Sequence, residues 1–285
     1  MPELPEVETV RRHLAERLEG DEICDVEVRL PRIVRYPGVQ AFAERVRRQT
    51  IQRVGRRGKY LLFQLETVLL VSHLRMEGRY MVADPDEPEL PHTHVVFRLG
   101  SGRELRYADV RQFGTMDAIA AGEPLPRGLA ELGPEPFDPS LDGSTLYERW
   151  HHRGVPVKSL LLDQRYLAGL GNIYVDEALF AAGIHPMTPA GALSPDQYDR
   201  LLREIRDVLD RAIREGGSSV RSFRDGYGRH GGFQIRLAVY GRAGQPCVRC
   251  GRAIEKLRVA GRGTHVCPAC QPFTACGRVT TGVEA

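Results

Sequence analysis

Four of the six cysteines lie within one short stretch of the chain, and their spacing restricts the fold of that stretch more than any other feature of the sequence. Cys247 and Cys250 form one Cys-x2-Cys pair, and Cys267 and Cys270 form a second pair after sixteen intervening residues. Each pair places two thiolates on one tight turn, and two such pairs supply the four ligands of a tetrahedral zinc site. We therefore predict one structural Zn²⁺, bound in a closed site that leaves no open position for catalysis.

The composition supports metal binding over disulfide bonds. With 285 residues, 42% of them hydrophobic and 27% charged, the chain is typical of globular proteins and long enough for more than one domain. It has no run of about 18 apolar residues that would cross a membrane, and its N-terminus lacks a signal-peptide pattern. In such a chain, clustered cysteines favour a metal. Cys24 and Cys276 match no pattern, so we expect them to be free thiols.

The positive charge is concentrated in the last part of the chain. The net charge is only +3, but residues 238–285 contain seven Arg or Lys and two Glu, which is a local charge of +5. The rest of the chain therefore sums to −2 (3 − 5). A basic module of this kind is typical of proteins that bind nucleic acid.

The N-terminal stretch Met1-Pro-Glu-Leu-Pro-Glu6 allows two interpretations. As a helix start, it has a proline in the first turn and acidic side chains near the positive end of the helix dipole, followed by an apolar stripe. As a reactive site, it would gain the secondary amine of Pro2 on removal of Met1, and an α-amino pKa of about 8 leaves part of that amine unprotonated at neutral pH. Such an amine can form an iminium with an aldehyde-level carbon, with Glu3 and Glu6 beside it as proton donors or acceptors.

Alternating apolar residues predict a β-rich first domain over residues 1–134. One helix is expected at 39–46. Short strands are expected at 23–30, 60–65, 68–74, 78–82, 94–99 and 104–107. Several short strands with Gly-bearing turns favour a sandwich of two antiparallel sheets.

Residues 135–235 are expected to comprise a linker, a helical domain and a loop. Ser194 is expected to cap a long amphipathic helix that ends at Gly216-Gly217. The six glycines within residues 216–234 predict a mobile loop. A strand at 234–240 would then lead into a zinc finger over 236–271, followed by a tail at 272–285.

Several stretches of the sequence together resemble one family, the bacterial formamidopyrimidine-DNA glycosylases. The resemblance runs in order from residue 1 to about residue 271. It rests on the stretches Met1–Val10, Gly58–Tyr60, His73–Gly78, Asp109–Gly114, Gly169–Ala178, Val239–Arg242 and Gly261–Cys270. Apart from the cysteines, each stretch alone is a weak signal, but the combination is specific.

The resemblance implies an α+β multidomain fold, with an N-terminal two-layer β-sandwich, a helix-two-turn-helix DNA-binding domain and a C-terminal four-cysteine zinc finger. It also implies a bifunctional enzyme that excises oxidised purines such as 8-oxoguanine and formamidopyrimidines, and then cleaves the strand by β,δ-elimination. The partner would be double-stranded DNA that contains a damaged base. We expect a monomer in the bacterial cytoplasm, associated with the nucleoid and not with a membrane.

The resemblance assigns roles at the catalytic centre. Pro2 attacks C1′ of the damaged nucleotide, Glu3 donates and accepts protons, and Glu6 orders the site. Lys59 and Arg262 fall at positions that contact phosphates, and a guanidinium suits such a contact because two of its N–H groups can bind one phosphate. From the local sequence alone, Lys59 would instead be a solvated lysine at the end of a basic run.

An enzyme that acts on a base inside a duplex must take that base out of the stack, and protein groups must fill the space. Met76, Arg111 and Phe113 fall at the void-filling positions of the family. Without the resemblance, Met76 and Phe113 would be interpreted as core residues and Arg111 as a surface charge. The remaining implied contacts with the DNA backbone are Asn172, His73, His92, Lys158 and Tyr240.

The resemblance also implies a lesion pocket. It consists of a loop at 218–228, with Ser218 and Arg221, and of Glu77, which faces the same pocket. The sequence departs from the family near Gly154, where the family usually has a basic residue. One phosphate contact is therefore missing or has moved to Arg153.

Two alternatives stay open at this point. An endonuclease VIII-like glycosylase for oxidised pyrimidines would share the architecture, although the N-terminal stretch and the void-filling trio argue against it. A non-catalytic zinc-ribbon protein that binds damaged DNA would explain the cysteines and the basic end. It would leave the N-terminal stretch without a function.

Overall fold

The computed structural model describes residues 1–218 and 232–273. The chain forms two compact units, one comprising Met1–Glu135 with Leu209–Arg236 and the other Pro136–Val208 with Leu237–Ala285. The division into domains at 1–134, 135–235 and 236–271 stays a prediction. No helix among the described residues has both the length and the hydrophobicity needed to cross a bilayer.

The first unit is built around a large, mostly antiparallel sheet. Its helices are α1 (Leu4–Leu18), α2 (Val39–Val46) and α3 (Arg127–Ala130), with a short 3-10 helix at Pro31–Ile33. Its strands are β1 (Glu22–Val28), β2 (Val34–Tyr36), β3 (Gln49–Arg57), β4 (Tyr60–Leu65), β5 (Val68–His73), β6 (Arg79–Ala83), β7 (Thr93–Leu99), β8 (Glu104–Ala108) and β9 (Thr115–Ala120). They pair in the order β2-β9-β5-β4-β3-β1-β7-β8-β6, and β2 is parallel to β9.

This sheet folds on itself into two layers. Its two halves are joined by a short pairing of β1 with β3, at Glu22 with Thr50 and Ile23 with Gln49. Phe63 of β4 and Tyr80 of β6 are far apart in the strand order, yet their ring centroids lie 5.6 Å apart. Both layers therefore face one apolar core, and the predicted two-layer β-sandwich is confirmed.

The first helix packs on this core through the stripe that its sequence predicts. Val7, Val10, Leu14 and Leu18 are all buried. The spacing of three or four residues places them on one face of α1. This face fixes the position of the N-terminal residues relative to the sheet.

The second unit contains helices and a hairpin. The helices are α4 (Gly143–Trp150), α5 (Val157–Leu162), α6 (Asn172–Ala182) and α7 (Pro195–Arg214), with a 3-10 helix at Ala190–Ala192. The predicted long helix is confirmed as α7, whose residues 195–208 belong to this unit and 209–214 to the first. Ser194 caps it as expected, because its hydroxyl accepts a hydrogen bond from the Gln197 N–H at 3.3 Å.

The hairpin of the second unit consists of β10 (Glu255–Val259) and β11 (Arg262–Val266). Its turn is Ala260-Gly261, where both residues have positive φ, 51° and 73°. The strand predicted at 234–240 is wrong. Phe233–Arg236 forms a 3-10 helix. Residues 238–240 pair with no strand among the described residues, and their N–H groups donate to a side chain of α6 instead.

Candidate active site and metal centre

The two glutamates after Pro2 form the start of α1. The Glu3 N–H donates to Glu6 Oε2 at 2.8 Å, and the Glu3 carboxylate accepts from the Glu6 N–H, which together make a capping box. Both carboxylates are almost fully buried, at 3% and 2% exposure, and Pro2 is buried beside them. The residues that begin the helix therefore also place two acidic groups next to the candidate nucleophile.

Glu6 also contacts a segment that is remote in sequence. Its Oε1 accepts a hydrogen bond from the Ser218 N–H at 2.6 Å. Gly217 has φ +80°, and a Cβ there would lie 2.9 Å from Glu6 Oε1. The structure thus brings Ser218 to the N-terminus of α1, whereas Arg221 and most of the predicted loop lie outside the described residues.

Lys59 lies in the two-residue turn between β3 and β4. Its side chain is buried, so the interpretation as a solvated lysine is wrong. Its neighbours Arg56 and Arg57 have a different role, because both form ion pairs with Glu135 at the end of the first unit. Within the basic run, Arg56 and Arg57 therefore hold the chain near residue 135, whereas Lys59 is buried.

His73, at the end of β5, is a buried neutral imidazole. Burial, followed by the positive charges of Arg75, Lys59 and Arg35, lowers the pKa of His73 to about 3. Its Nδ1 accepts a hydrogen bond from the Arg75 N–H at 2.9 Å, so the proton is on Nε2. His73 can therefore donate a hydrogen bond without carrying charge.

The void-filling trio lies on two loops of the first unit. Met76 is half-buried in the turn that follows β5. Arg111 and Phe113 are exposed in the loop between β8 and β9, and the guanidinium carbon lies 5.0 Å from the phenyl centroid. Because Phe113 is 53% exposed, its interpretation as a core residue is wrong.

Asn172 and Arg262 lie next to each other in the fold of the second unit. Asn172 is the first residue of α6, and its Nδ2 donates to the Gly263 carbonyl at 2.8 Å. Its Oδ1 has no hydrogen-bond partner among the described residues. Arg262 is exposed at the start of β11. The helix N-terminus and the hairpin thus present donors side by side, an arrangement that suits a phosphate.

Lys158 is enclosed within the second unit. It is fully buried, and its Nζ donates to Asp176 Oδ1 at 2.6 Å and to Thr264 Oγ1 at 2.8 Å. The expectation of a direct phosphate contact is therefore wrong. Lys158 instead connects α5, α6 and β11.

Two acidic residues of α6 were missed by the sequence analysis. Asp176 Oδ2 accepts from the His265 N–H at 2.9 Å, and Glu177 accepts from the N–H groups of Ala238, Val239 and Tyr240 at 2.8 to 2.9 Å. Burial raises the pKa of Glu177, although these three bonds oppose the shift. The available signal was an Asp-Glu pair inside an otherwise apolar helix, because such a pair is buried only if it has partners.

The remaining candidates are Tyr240, His92 and Glu77. The ring of Tyr240 packs on His265, with centroids 5.1 Å apart. His92 is exposed, with φ 64°, and its ring lies 6.2 Å from that of His94. Glu77 is half-buried in the same turn as Met76. These positions leave the proposed contacts with DNA as predictions.

The four cysteines form a cluster whose dimensions suit Zn²⁺. All four sulfur atoms lie within 4.8 Å of one another, with 3.8 Å between Cys247 and Cys270 and 3.5 Å between Cys250 and Cys267. Tetrahedral ligands with Zn–S bonds of about 2.3 Å would lie about 3.8 Å apart. Burial and the neighbouring thiols raise the pKa of Cys270 to about 12, so a cation is needed for all four to be thiolates. The predicted zinc site therefore fits these residues.

Comparison with known proteins covers almost the whole chain. Residues 1–116 match the formamidopyrimidine-DNA glycosylase N-terminal domain, residues 132–224 match the H2TH domain of the same enzymes, and residues 244–272 match the zinc finger found in FPG and IleRS. The chain is 52% identical to the formamidopyrimidine-DNA glycosylase of Shouchella clausii and 53% identical to that of Geobacillus kaustophilus, in each case over 95% of this chain and at least 99% of the relative.

Solved structures agree with these matches. A complex of Lactococcus lactis Fpg with DNA that contains an abasic site has a TM-score of 0.88 and 43% identity, covering 95% of this chain and 100% of that protein. The complex of the wild-type L. lactis protein with DNA containing N7-benzyl-Fapy-dG has the same values. The fold class predicted from the sequence, with its sheet domain, helix-two-turn-helix domain and zinc finger, is confirmed.

Proposed function

The chain belongs to the formamidopyrimidine-DNA glycosylase family, and on that premise we propose how its own residues carry out the reaction. It is a DNA repair glycosylase for oxidised purines, with one structural zinc in its C-terminal finger. The observation that supports the assignment of its catalytic centre is the pair of buried carboxylates, Glu3 and Glu6, directly after Pro2. Buried acids next to a secondary amine are the groups that iminium chemistry needs.

In the first stage of the proposed reaction, the Pro2 nitrogen of the processed chain attacks C1′ of the damaged nucleotide. The bond between C1′ and the base breaks, and the base leaves with a proton. The C1′–O4′ bond then breaks, O4′ takes a proton, and an iminium links Pro2 to the opened sugar. Glu3 donates and accepts the protons of this stage. Its position in the capping box keeps its carboxylate close to the chain terminus.

In the second stage, the iminium acidifies the C2′ protons. Loss of one such proton expels the 3′-phosphate by β-elimination, and a further elimination expels the 5′-phosphate, before water releases Pro2. Lys59 contacts a phosphate from the first unit, and Asn172 with Arg262 contacts phosphates from the second. Each of these groups stabilises charge on oxygen as a phosphate leaves.

The test is borohydride trapping with duplex DNA that contains 8-oxoguanine opposite cytosine. Mass spectrometry first establishes that Met1 is absent from the sample. We expect a covalent complex with the unmodified sequence and at least tenfold less with Pro2→Gly. Pro5→Ala is the matched control, because it removes a proline from the same helix turn without changing the terminus. Failure to trap with the processed protein, or a trapped adduct that peptide mass spectrometry places on a residue other than Pro2, would overturn the assignment of Pro2.

The alternative of an endonuclease VIII-like enzyme is not favoured, because the relatives are named formamidopyrimidine-DNA glycosylases. Excision of thymine glycol at a rate equal to that of 8-oxoguanine would support the endonuclease VIII-like alternative. We also propose that the protein acts as a monomer on nucleoid DNA in the bacterial cytoplasm, since one chain carries all the groups used above. Analytical ultracentrifugation with and without duplex DNA tests the monomer.

A further inference from the structure

Two loops of the first unit pack against the same buried hydroxyl group. The first, which we call the Met76 loop, is residues 74–78, and the second, the Phe113 loop, is residues 109–114. The hydroxyl belongs to Tyr107 of β8, whose side chain is fully buried. A Cβ on Gly78 would lie 2.4 Å from this oxygen, and one on Gly114 would lie 1.7 Å from it. Glycine is therefore required at both positions for the loops to approach Tyr107.

The Phe113 loop is organised by one carboxylate. Asp109 is fully buried, and its Oδ1 accepts from the Arg111 N–H at 3.1 Å while its Oδ2 accepts from the Gly114 N–H at 2.8 Å. The Tyr107 hydroxyl donates to the same Oδ2 at 3.4 Å. The backbone on both sides of Phe113 is thus held by one side chain, while Phe113 itself stays exposed.

The conformation of both loops is costly without such support. Arg75 in the Met76 loop and Gln112 in the Phe113 loop have φ of 53° and 57°, a region that L-residues rarely adopt. The Gly78 N–H closes the first loop by donating to the Leu74 carbonyl at 3.0 Å. Contacts with Tyr107 and Asp109 therefore select these conformations over the many that short loops otherwise adopt.

We propose that Tyr107 and Asp109 are positioning residues that hold the Met76 loop and the Phe113 loop at a fixed separation before DNA binds. The inference rests on the proposed function and on the void-filling roles that the family resemblance implies for Met76, Arg111 and Phe113, which would enter the duplex as the damaged base leaves it. Three side chains on two loops can fill one space only if the loops keep their register. Ordering them in advance removes an entropy cost from base extrusion.

A neighbouring tyrosine provides a matched control. Tyr80 of β6 is also buried, and its ring centroid lies 5.0 Å from that of Tyr107. Its hydroxyl donates to Ser72 Oγ at 2.8 Å instead of facing the two loops. Tyr80→Phe and Tyr107→Phe therefore each remove one buried hydroxyl from the same core.

The experiment compares two substrates under single-turnover conditions. One is duplex DNA with 8-oxoguanine opposite cytosine, which requires base extrusion, and the other is a single strand with a preformed abasic site, which has no stack to fill. We expect Tyr107→Phe to slow excision in the duplex by about fivefold, since a net hydrogen bond contributes about 1 kcal/mol. Asp109→Asn, which loses an acceptor for a backbone N–H, should slow it by at least tenfold. Strand cleavage of the abasic single strand should stay within twofold (about 0.4 kcal/mol) of the unmodified protein for all variants.

The outcomes separate the inference from the proposed function. Equal excision rates for Tyr107→Phe and Tyr80→Phe in the duplex would overturn the inference, and so would an equal loss on both substrates, since that indicates a general loss of structure. Either result leaves the glycosylase intact. An unmodified protein that is inactive on both substrates would instead overturn the proposed function itself.

Discussion

The carboxylate of Glu6 accepts a hydrogen bond from the Ser218 N–H at 2.6 Å, across 212 residues of sequence. The other oxygen of the same carboxylate accepts from the Glu3 N–H at 2.8 Å. One buried side chain therefore connects the turn that carries the candidate catalytic residues with the segment that follows α7. In the proposed reaction, this bond keeps Ser218 next to the nucleophile.

Glu6→Gln tests this connection. An amide offers one acceptor and one NH2 group, so one of the two backbone N–H groups loses its acceptor. Hydrogen bonds to charged groups are worth roughly 1.5–3 kcal/mol, so we expect excision of 8-oxoguanine to slow by about tenfold to a hundredfold. Glu16→Gln, on the exposed face of α1, should leave the rate unchanged. Equal rates for the two variants in single-turnover assays would contradict the role of Glu6.

Lys59→Gln tests the phosphate contact. Each neutralised phosphate releases counterions, so removing one contact should make the slope of log K against log salt shallower by about 0.9. Arg53→Gln removes one exposed charge from the same hairpin and should change the slope less. Binding to an abasic-site duplex at several salt concentrations provides the measurement. An unchanged slope for Lys59→Gln would show that this lysine does not contact a phosphate.

The Lys158–Asp176 pair predicts an effect on stability. Both side chains are fully buried, and removing one partner of such a pair costs about 3–5 kcal/mol because the other charge stays buried. Lys158→Met should therefore lower the free energy of unfolding, measured in urea, by about 3 kcal/mol. The double variant Lys158→Met/Asp176→Leu should be more stable than Lys158→Met alone. The exposed pair Arg127–Glu131 is the control, and Arg127→Gln should cost less than about 0.5 kcal/mol. If Lys158→Met lowers the free energy of unfolding by no more than Arg127→Gln does, the buried pair does not contribute to stability.

His73 predicts a pH dependence of stability. Burial, with Arg75, Lys59 and Arg35, lowers its pKa from 6.5 to about 3, so the unfolded state takes up a proton first as the pH falls. The contribution of the neutral His73 ring to the free energy of unfolding is therefore complete above pH 6.5. It is lost between pH 6.5 and pH 3, by up to about 1.4 kcal/mol per pH unit. When the pH falls from about 6.5 to 5, the free energy of unfolding of His73→Gln should therefore decrease by about 2 kcal/mol less than that of the unmodified protein. The exposed His151 is the control, and the same pH profile for His73→Gln and His151→Gln would refute this.

We expect removal of zinc to weaken DNA binding. Without the metal, four crowded thiols no longer hold the β10–β11 hairpin, and Arg262 loses its fixed position. We expect chelation or Cys267→Ser to weaken binding to an abasic-site duplex by at least tenfold, a loss of about 1.4 kcal/mol in binding free energy. Cys24→Ser, at an exposed thiol of β1, should leave zinc content and affinity unchanged. A zinc-free protein of normal affinity would disprove the role of the finger.

The features that the sequence predicted correctly depend on neighbours within a few residues. Helix α2 was predicted with its observed ends at Val39 and Val46, and Ser194 was identified as the cap of α7. The cysteine spacing predicted the sulfur cluster in the same way, because two Cys-x2-Cys turns determine most of its geometry. The prediction of a strand at 234–240 was wrong because the N–H groups of Ala238, Val239 and Tyr240 donate to Glu177. This acceptor lies 61 to 63 residues away in the sequence.

The sequence by itself determined the helix periods, the caps, the zinc ligands and the resemblance to a family, since each of these is a pattern of residue types at fixed spacing. Only the tertiary structure decided which charged residues are buried and what they contact. Local sequence does not separate Lys59 from Arg56 and Arg57. The family resemblance implied that Lys158 contacts the DNA, although the fold encloses its side chain beside Asp176. The reason is physical, because the free energy of a charge depends on its solvation and on partners that the chain brings from far away.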